Sequence, residues 1–485
     1  MSNLQTGKMT NHRCTIVVML FMATTVNYLD RQVLSLTWAD FIAPEFHWTN
    51  SDYGTITGLF SIFYAVSMLF AGKFIDWMDT KKGFLWAIGV WSFGAIMHAF
   101  CGILTSGITA GEWTMSFEGA REAIGTVGDV SLVVSVSVTL FVFARLVLAI
   151  GEAGNFPAAI KATAEYFPKK DRAYATSIFN SGAQIGALLA PLTIPFIAKA
   201  WGWEMAFIVI GALGFIWMGF WVFIYHKPEH NKKVNALELE YINQDDATDA
   251  IEGRVKADGN AGKKVSFKKA FKYKQTWSFA VGKFLTYGVW WFLLFWIPAY
   301  LSSVYGLDST ESAPHVFVVY AISMISVFAA GYFPAYYMEK KKLDPYQGRM
   351  RAMLLFAFFP LLILFAQPLG GVSVWLPVII IGIAAAAHQS WSANIFTTVS
   401  DMFPKHAVGT ITGIGGMAGG VGSFFINKSS GVLFDHAANT NMKFMGYEGI
   451  ESGYFIIFIF CAIAYLLGWT IMKSLVPKYQ LITDM

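Results

Sequence analysis

Residues 14–36 read CTIVVMLFMATTVNYLDRQVLSL. A run of this length and apolarity crosses the roughly 30 Å hydrocarbon core of a bilayer as a single helix. It is longer than a signal-peptide core and has no small-residue cleavage site, so it is expected to be retained. Near its end it carries Asn27, Asp30 and Arg31. A charge at such depth costs about 3 kcal/mol, and a group kept at that cost marks function before it marks structure.

Similar runs recur along the whole chain. Of its 485 residues 55% are hydrophobic and 14% charged, and the mean hydropathy is +0.50. That composition excludes a soluble protein and predicts an integral, multi-pass membrane protein. Twelve candidate spans begin near Cys14, Asp52, Gly83, Val138, Ala173, Met205, Trp277, Val316, Met350, Val374, Val408 and Gly453. They are too long for barrel strands and lack period-two alternation, so an all-α bundle is predicted. Cys14, Cys101 and Cys461 lie far apart in apolar surroundings and suggest packing, with no disulfide framework and no metal site. Trp48 and Trp201 are expected to anchor span ends at the interface.

Charge sets the orientation. With both termini on the cytoplasmic side, the only cations in the outer connections are Arg121, Lys199, Lys428 and Lys443. Nearly all the other Lys and Arg then face the cytoplasm, as the positive-inside rule requires.

Two phrases show that the chain is duplicated. YFPKKDRAYATSIFNSGAQIG from Tyr166 and MFPKHAVGTITGIGGMAGGVG from Met402 align at an offset of 236 residues. Gly72 and Gly331 align at 259, and the excess fits an insertion in the outer segment 104–131. The polar stretch from His226 to Lys274 separates six spans from six and has the composition of a linker, not of a catalytic domain. The predicted organisation is a bundle at 1–225, a cytoplasmic linker at 226–275 and a second bundle at 276–485. A duplicated bundle with its site between the halves is the architecture of an alternating-access carrier. The glycine-rich segment Gly409–Gly422 has no preceding strand and no following Lys-Ser or Lys-Thr, which argues for close helix packing and against a phosphate loop.

Only Arg31, Arg145, Lys161 and Lys283 among the 35 Lys and Arg fall inside the spans, with Asp30 and Glu152 as the clear intramembrane acids. Depth estimates of about 24 Å for Asp30 along the first helix and about 10 Å for Arg145 from the outer surface allow the two to meet. Glu152 lies two turns from Arg145 on the same face, with no cation beside it in sequence. A carboxyl protonated from one side and deprotonated from the other would couple transport to protons, while a structural ion pair is the alternative for Asp30 with Arg145. Lys161 is shallow enough to snorkel, which leaves a deeper cation without a counter-ion. An anionic substrate would supply it, and Arg31 presents the planar fork suited to a carboxylate. Lys283 either snorkels or forms a second anchor. Tyr64, His388, Gln389 and Asn394 either contact a ligand or bridge helices.

Gly72, Asp76 and Lys81 in GKFIDWMDTKK resemble the cytoplasmic loop signature of the major facilitator superfamily, with Trp77 and Asp79 where that signature has a basic residue and a glycine. NYLDRQ, the stretch from Arg145 through GEAGNFPAAIKATAEYFP, and WSANIFTTVSDMFPKHAVG resemble the anion:cation symporter family and, within it, the hexuronate transporters. The resemblance implies two pseudo-symmetric six-helix bundles and proton-coupled uptake of a sugar-acid anion such as galacturonate or glucuronate across a bacterial inner membrane. It makes Arg31 the carboxylate anchor, Asp30 and Glu152 the proton-coupling acids and Arg145 their partner. Tyr64 and Lys283 become substrate contacts, joined by Gln389 and Asn394 of the tenth span. FLTYG follows Lys283 where the hexuronate pattern is FLTDP. A carrier for aldonates, glucarate or aromatic acids is the neighbouring reading, and a transporter-fold nutrient sensor a remoter one. A functional monomer is expected, with protons as coupling ion, no other cofactor, no metal, no nucleic acid and no enzymatic chemistry.

Overall fold

The computed structural model describes residues 8–244 and 266–483. The central part of the linker and both extreme termini lie outside the described residues. Twelve long helical segments follow one another. The first six are His12–Thr37, Asn50–Met78, Thr80–Thr109, Val130–Glu152 continued by Asn155–Tyr166, Lys169–Trp201 and Trp203–Ile224. The seventh and eighth are Lys274–Tyr305 and Ser309–Ser323 continued by Ser326–Lys341. The ninth runs from Pro345–Phe358 through a 3-10 stretch, Phe359–Phe365, into Ala366–Gly370. Trp375–Met402, Lys405–Thr440 and Ile450–Leu475 complete the set.

Among the described residues, eleven helices are long and apolar enough to cross a membrane. The first helix falls just short because Asn27, Asp30, Arg31 and Gln32 lower its hydropathy, and all four are buried. Its polarity is turned inward, against protein. Lys428, expected in a connection, lies within the eleventh helix, which continues to Thr440. Trp48 is buried, donating from Nε1 to Ser137 Oγ at 2.8 Å, so it packs the bundle and does not anchor an interface. Trp201 is exposed.

The duplication is visible in the backbone. Pro168 and Pro404 begin the fifth and eleventh helices with nearly the same geometry, φ −63°, ψ 155° and φ −64°, ψ 148°. A proline before the first turn has no N–H to leave unsatisfied. The second and eighth helices both open on a capping box, Thr49 with Asp52 and Asp308 with Glu311, again 259 residues apart. A Cβ at Gly186 would collide with the carbonyl of Thr25, and one at Gly422 with the carbonyl of Phe284. These two contacts are equivalent under the same offsets, so the fifth helix meets the first as the eleventh meets the seventh.

The first and last six spans are joined along the second and eleventh helices and on the face opposite the termini, called here the far face. Gly54 and Gly58 abut Asn427 and Phe424, and Ser61 Oγ lies 2.9 Å from Ser423 Oγ. Tyr53 donates to the Phe295 carbonyl at 2.8 Å, and Trp38 and Tyr53 stack at 4.1 Å beside Trp296. On the termini face, the linker helix Ala236–Ile242 docks against the start of the first helix. There the buried Glu238 carboxylate accepts from the backbone N–H groups of His12 and Arg13, both at 3.0 Å.

Candidate functional site

Arg31 is 3% exposed, and its Nη2 and Nε donate to Glu152 Oε2 at 2.5 and 2.9 Å. This corrects the expectation that Arg31 lacks a counter-ion within the protein, and it gives Glu152 a cation in space where it has none beside it in sequence. The reason is directional. Side chains on a helix lean toward its N-terminus, so Arg31 reaches down toward the termini face, where Glu152 lies. Asp30, about 100° further round the same helix, points elsewhere. Glu152 sits where the fourth span bends, between Val130–Glu152 and Asn155–Tyr166. Gly151 and Gly154 press on Trp91 and Ala87 there, which holds the bend against the third helix.

The expected Asp30 to Arg145 pair does not form. Both residues are 1% exposed, and among the described residues neither carboxylate oxygen of Asp30 and none of the three guanidinium nitrogens of Arg145 has a hydrogen-bond partner. The two arginines instead share the ring of Phe60, with guanidinium carbons 5.9 and 5.2 Å from its centroid. Arg31 also lies 4.7 Å from the Tyr64 ring, 5.0 Å from Tyr28 and 5.2 Å from Trp291. Tyr64 therefore lies beside Arg31. Trp291 brings the seventh helix to the same place.

Lys283 is 1% exposed, which removes the snorkelling alternative. Its ammonium stands 3.9 Å from the Tyr287 ring and 4.2 Å from Phe396, and it makes no ion pair among the described residues. Lys283, Tyr287, Trp291 and Phe295 recur every four residues and form one stripe of the seventh helix. The rings of Tyr287 and Trp291 are 5.9 Å apart, so an aromatic wall connects Lys283 to Arg31. Tyr28, Phe60 and Trp291 are not among the residues the sequence singles out, whereas Tyr287 is, as the tyrosine of FLTYG. The four-residue period after Lys283 was the available signal, whereas Phe60 shows no pattern of its own.

In the tenth span, Asn394 Nδ2 donates to the carbonyls of Ala330 and Ser390 at 3.0 and 2.9 Å, bridging to the eighth span, while its buried Oδ1 has no hydrogen-bond partner among the described residues. His388 stacks on Trp290 at 5.4 Å and meets Tyr465 Oη at 2.6 Å. Both therefore tie helices together. Gln389 is half-buried. Lys161 pairs with Asp76 at 3.2 Å and donates to the Ile75 carbonyl, while Lys81 donates to the Val222 carbonyl at 2.7 Å. These bonds knit the second, third, fourth and sixth helices at the termini face. A Cβ at Gly72 would meet nothing. Among the described residues no group of His, Cys, Asp or Glu is placed to hold a metal.

A duplicated helical bundle, a buried ion pair in one half and a cation facing it across an aromatic wall from the other define a membrane carrier. The model of the Major Facilitator Superfamily matches residues 20–426, and the chain belongs to that superfamily of transporters. It is 26% identical over 464 residues to the hexuronate transporter of Escherichia coli (strain K12), covering 95% of this chain and 94% of the relative. It is 27% identical to the galacturonate transporter of Dickeya chrysanthemi, over 68% of this chain and 83% of that one. A probable galactarate/D-glucarate transporter of Escherichia coli (strain K12) is 25% identical over 92% of this chain and 94% of its own length. The fold is also that of a solved bacterial homologue of the lysosomal transporter Spinster, inward-facing and unoccupied. That match has a TM-score of 0.69 at 18% identity, over 98% of this chain and 99% of the other.

Proposed function

We propose that this chain is a proton-coupled symporter that imports a sugar-acid anion, foremost a hexuronate such as galacturonate or glucuronate. It works as a monomer in a bacterial inner membrane with both termini cytoplasmic. The observation that carries the reading is the buried Arg31–Glu152 pair. Arg31 has the planar fork that a carboxylate requires, and in this state Glu152 occupies it. Protonating Glu152 removes its claim on the guanidinium, so a substrate carboxylate replaces it without leaving a charge unpaired. Anion and proton thus enter together. Asp30 and Arg145 form the second, unpaired acid and base of the same half, and serve the coupling step. In this reading Tyr64, Lys283 and Gln389 line the substrate's path, and Asn394 adds to it the Oδ1 that its helix-bridging amide leaves unused. Relatives named for hexuronate, galacturonate and galactarate support a sugar acid as cargo.

One pH unit supplies about 1.4 kcal/mol per proton, and 100 mV about 2.3 kcal/mol per net charge. Symport of one proton with a monoanion is electroneutral and draws on the pH gradient alone. Protein in liposomes should therefore accumulate labelled galacturonate when the pH is lower outside. Uptake indifferent to the gradient sinks the coupling, and displacement by glucarate or galactonate but not by glucuronate moves the substrate to the neighbouring class. Glu152→Gln should keep substrate exchange and lose gradient-driven accumulation. Loss of both would make the pair structural.

A further inference from the structure

The far face is held by contacts that repeat the internal symmetry of the chain. The first N–H groups of any helix have no partner within it. In the second helix Thr49 caps Asp52, and the next two donors go to the other half of the molecule. Asp435 Oδ1 accepts from the Asn50 backbone N–H at 2.9 Å and from Asn50 Nδ2 at 2.9 Å, and its Oδ2 accepts from the Ser51 N–H at 2.7 Å. Lys428 adds bonds to Ser51 Oγ at 3.0 Å and Thr55 Oγ1 at 2.7 Å.

The eighth helix is served in the same way. Asp308 caps Thr310 and Glu311, both at 2.8 Å, and the remaining donor, the Ser309 N–H, goes to Asp40 Oδ2 at 2.5 Å. Asp40 follows the first helix and so belongs to the first half. Lys199, which stands 236 residues before Asp435, reaches Asp308 Oδ2 at 3.2 Å and Thr310 Oγ1 at 3.1 Å. Position 199 closes the fifth helix on the eighth as position 435 closes the eleventh on the second. Each half therefore contributes a carboxylate to a helix N-terminus of the other, where negative charge is favoured.

We propose that Asp40 and Asp435 are the gate residues of the far face, each holding that side shut by completing the first turn of a helix in the opposite half. Opening to the far side withdraws both carboxylates and returns four donors, the N–H groups of Asn50, Ser51 and Ser309 and the Asn50 amide, to water. The gate is distinct from the substrate site. Trp38, Tyr53 and Trp296 lie between the two.

The test uses the full chain in nanodiscs, with Cys14, Cys101 and Cys461 replaced by Ser and spin labels at positions 201 and 440, exposed ends of the fifth and eleventh helices. Removing one cap of this kind should raise the open-to-closed ratio by about tenfold. Asp435→Ala should add a long-distance population, Asp435→Asn a smaller one because its amide oxygen still accepts, and Asp40→Ala with Asp435→Ala the largest. Lys443→Gln, in the exposed pair with Glu448, should change nothing. Asp435→Asn and the double variant both matching the parent distribution would overturn the proposal. So would an equal shift in Lys443→Gln. The measurement uses no substrate, so its failure is separate from any failure of the sugar-acid reading.

Discussion

Asp79 shows what one residue settles. It stands where the superfamily signature has glycine, and its backbone has φ +68° and ψ 154°, a region that side chains other than glycine's rarely occupy. Two bonds hold it there, the Thr80 N–H to Oδ1 at 2.8 Å and Lys227 to Oδ2 at 3.3 Å. Burial alone would raise its pKa, but those two partners bring it below the usual carboxylate value. Asp79→Gly should be close to neutral in thermal melting, since relief of about 1–3 kcal/mol of strain offsets the lost cap and ion pair. Asp79→Val loses the bonds and keeps the strain, so it should melt lower by the equivalent of about 2 kcal/mol. Equal melting of the two variants would show that strain at this turn is unimportant.

Among elements, the eleventh helix makes two kinds of glycine contact. A Cβ at Gly431 would strike the backbone of Asn50, across the interface between halves, whereas one at Gly422 would strike Phe284 within its own half. Crowding in a packed helix interface costs about 1–3 kcal/mol. Gly431→Ala should therefore push the far ends apart and raise labelling of a cysteine placed at Thr57, with little change in melting temperature. Gly422→Ala should lower the melting temperature and leave the labelling rate unchanged, because the second and eleventh helices keep their fit. The opposite pattern would mean that the halves do not move as units.

For the whole molecule the charge network on the far face sets a pH range. Asp308 is pushed down to about 2, first by the Thr310 hydroxyl and the Glu311 N–H and further by Lys199. A depressed carboxylate contributes its stabilisation fully above its ordinary value of 3.8 and loses it as pH falls through about 2. The melting difference between the parent and Asp308→Asn should stay constant from pH 8 to about 4 and shrink toward pH 2. A difference that already declines near pH 6 would assign the far-face contact to other groups.

Composition and the two repeated phrases were enough for the class of molecule, the twelve spans and the pseudo-twofold plan, because burial in lipid forces long apolar helices and duplication leaves offsets of 236 and 259. Helix rise allowed Asp30 and Arg145 to meet, and they do not pair. Which charges pair was not legible. Arg31 joins Glu152 and, among the described residues, leaves Asp30 and Arg145 without hydrogen-bond partners because side-chain direction and the bend after Glu152 decide contact, and neither follows from spacing along a chain. The aromatic wall from Tyr64 to Tyr287 and the crossed carboxylates Asp40 and Asp435 likewise join residues hundreds of positions apart. Only packing one half against the other brings them together.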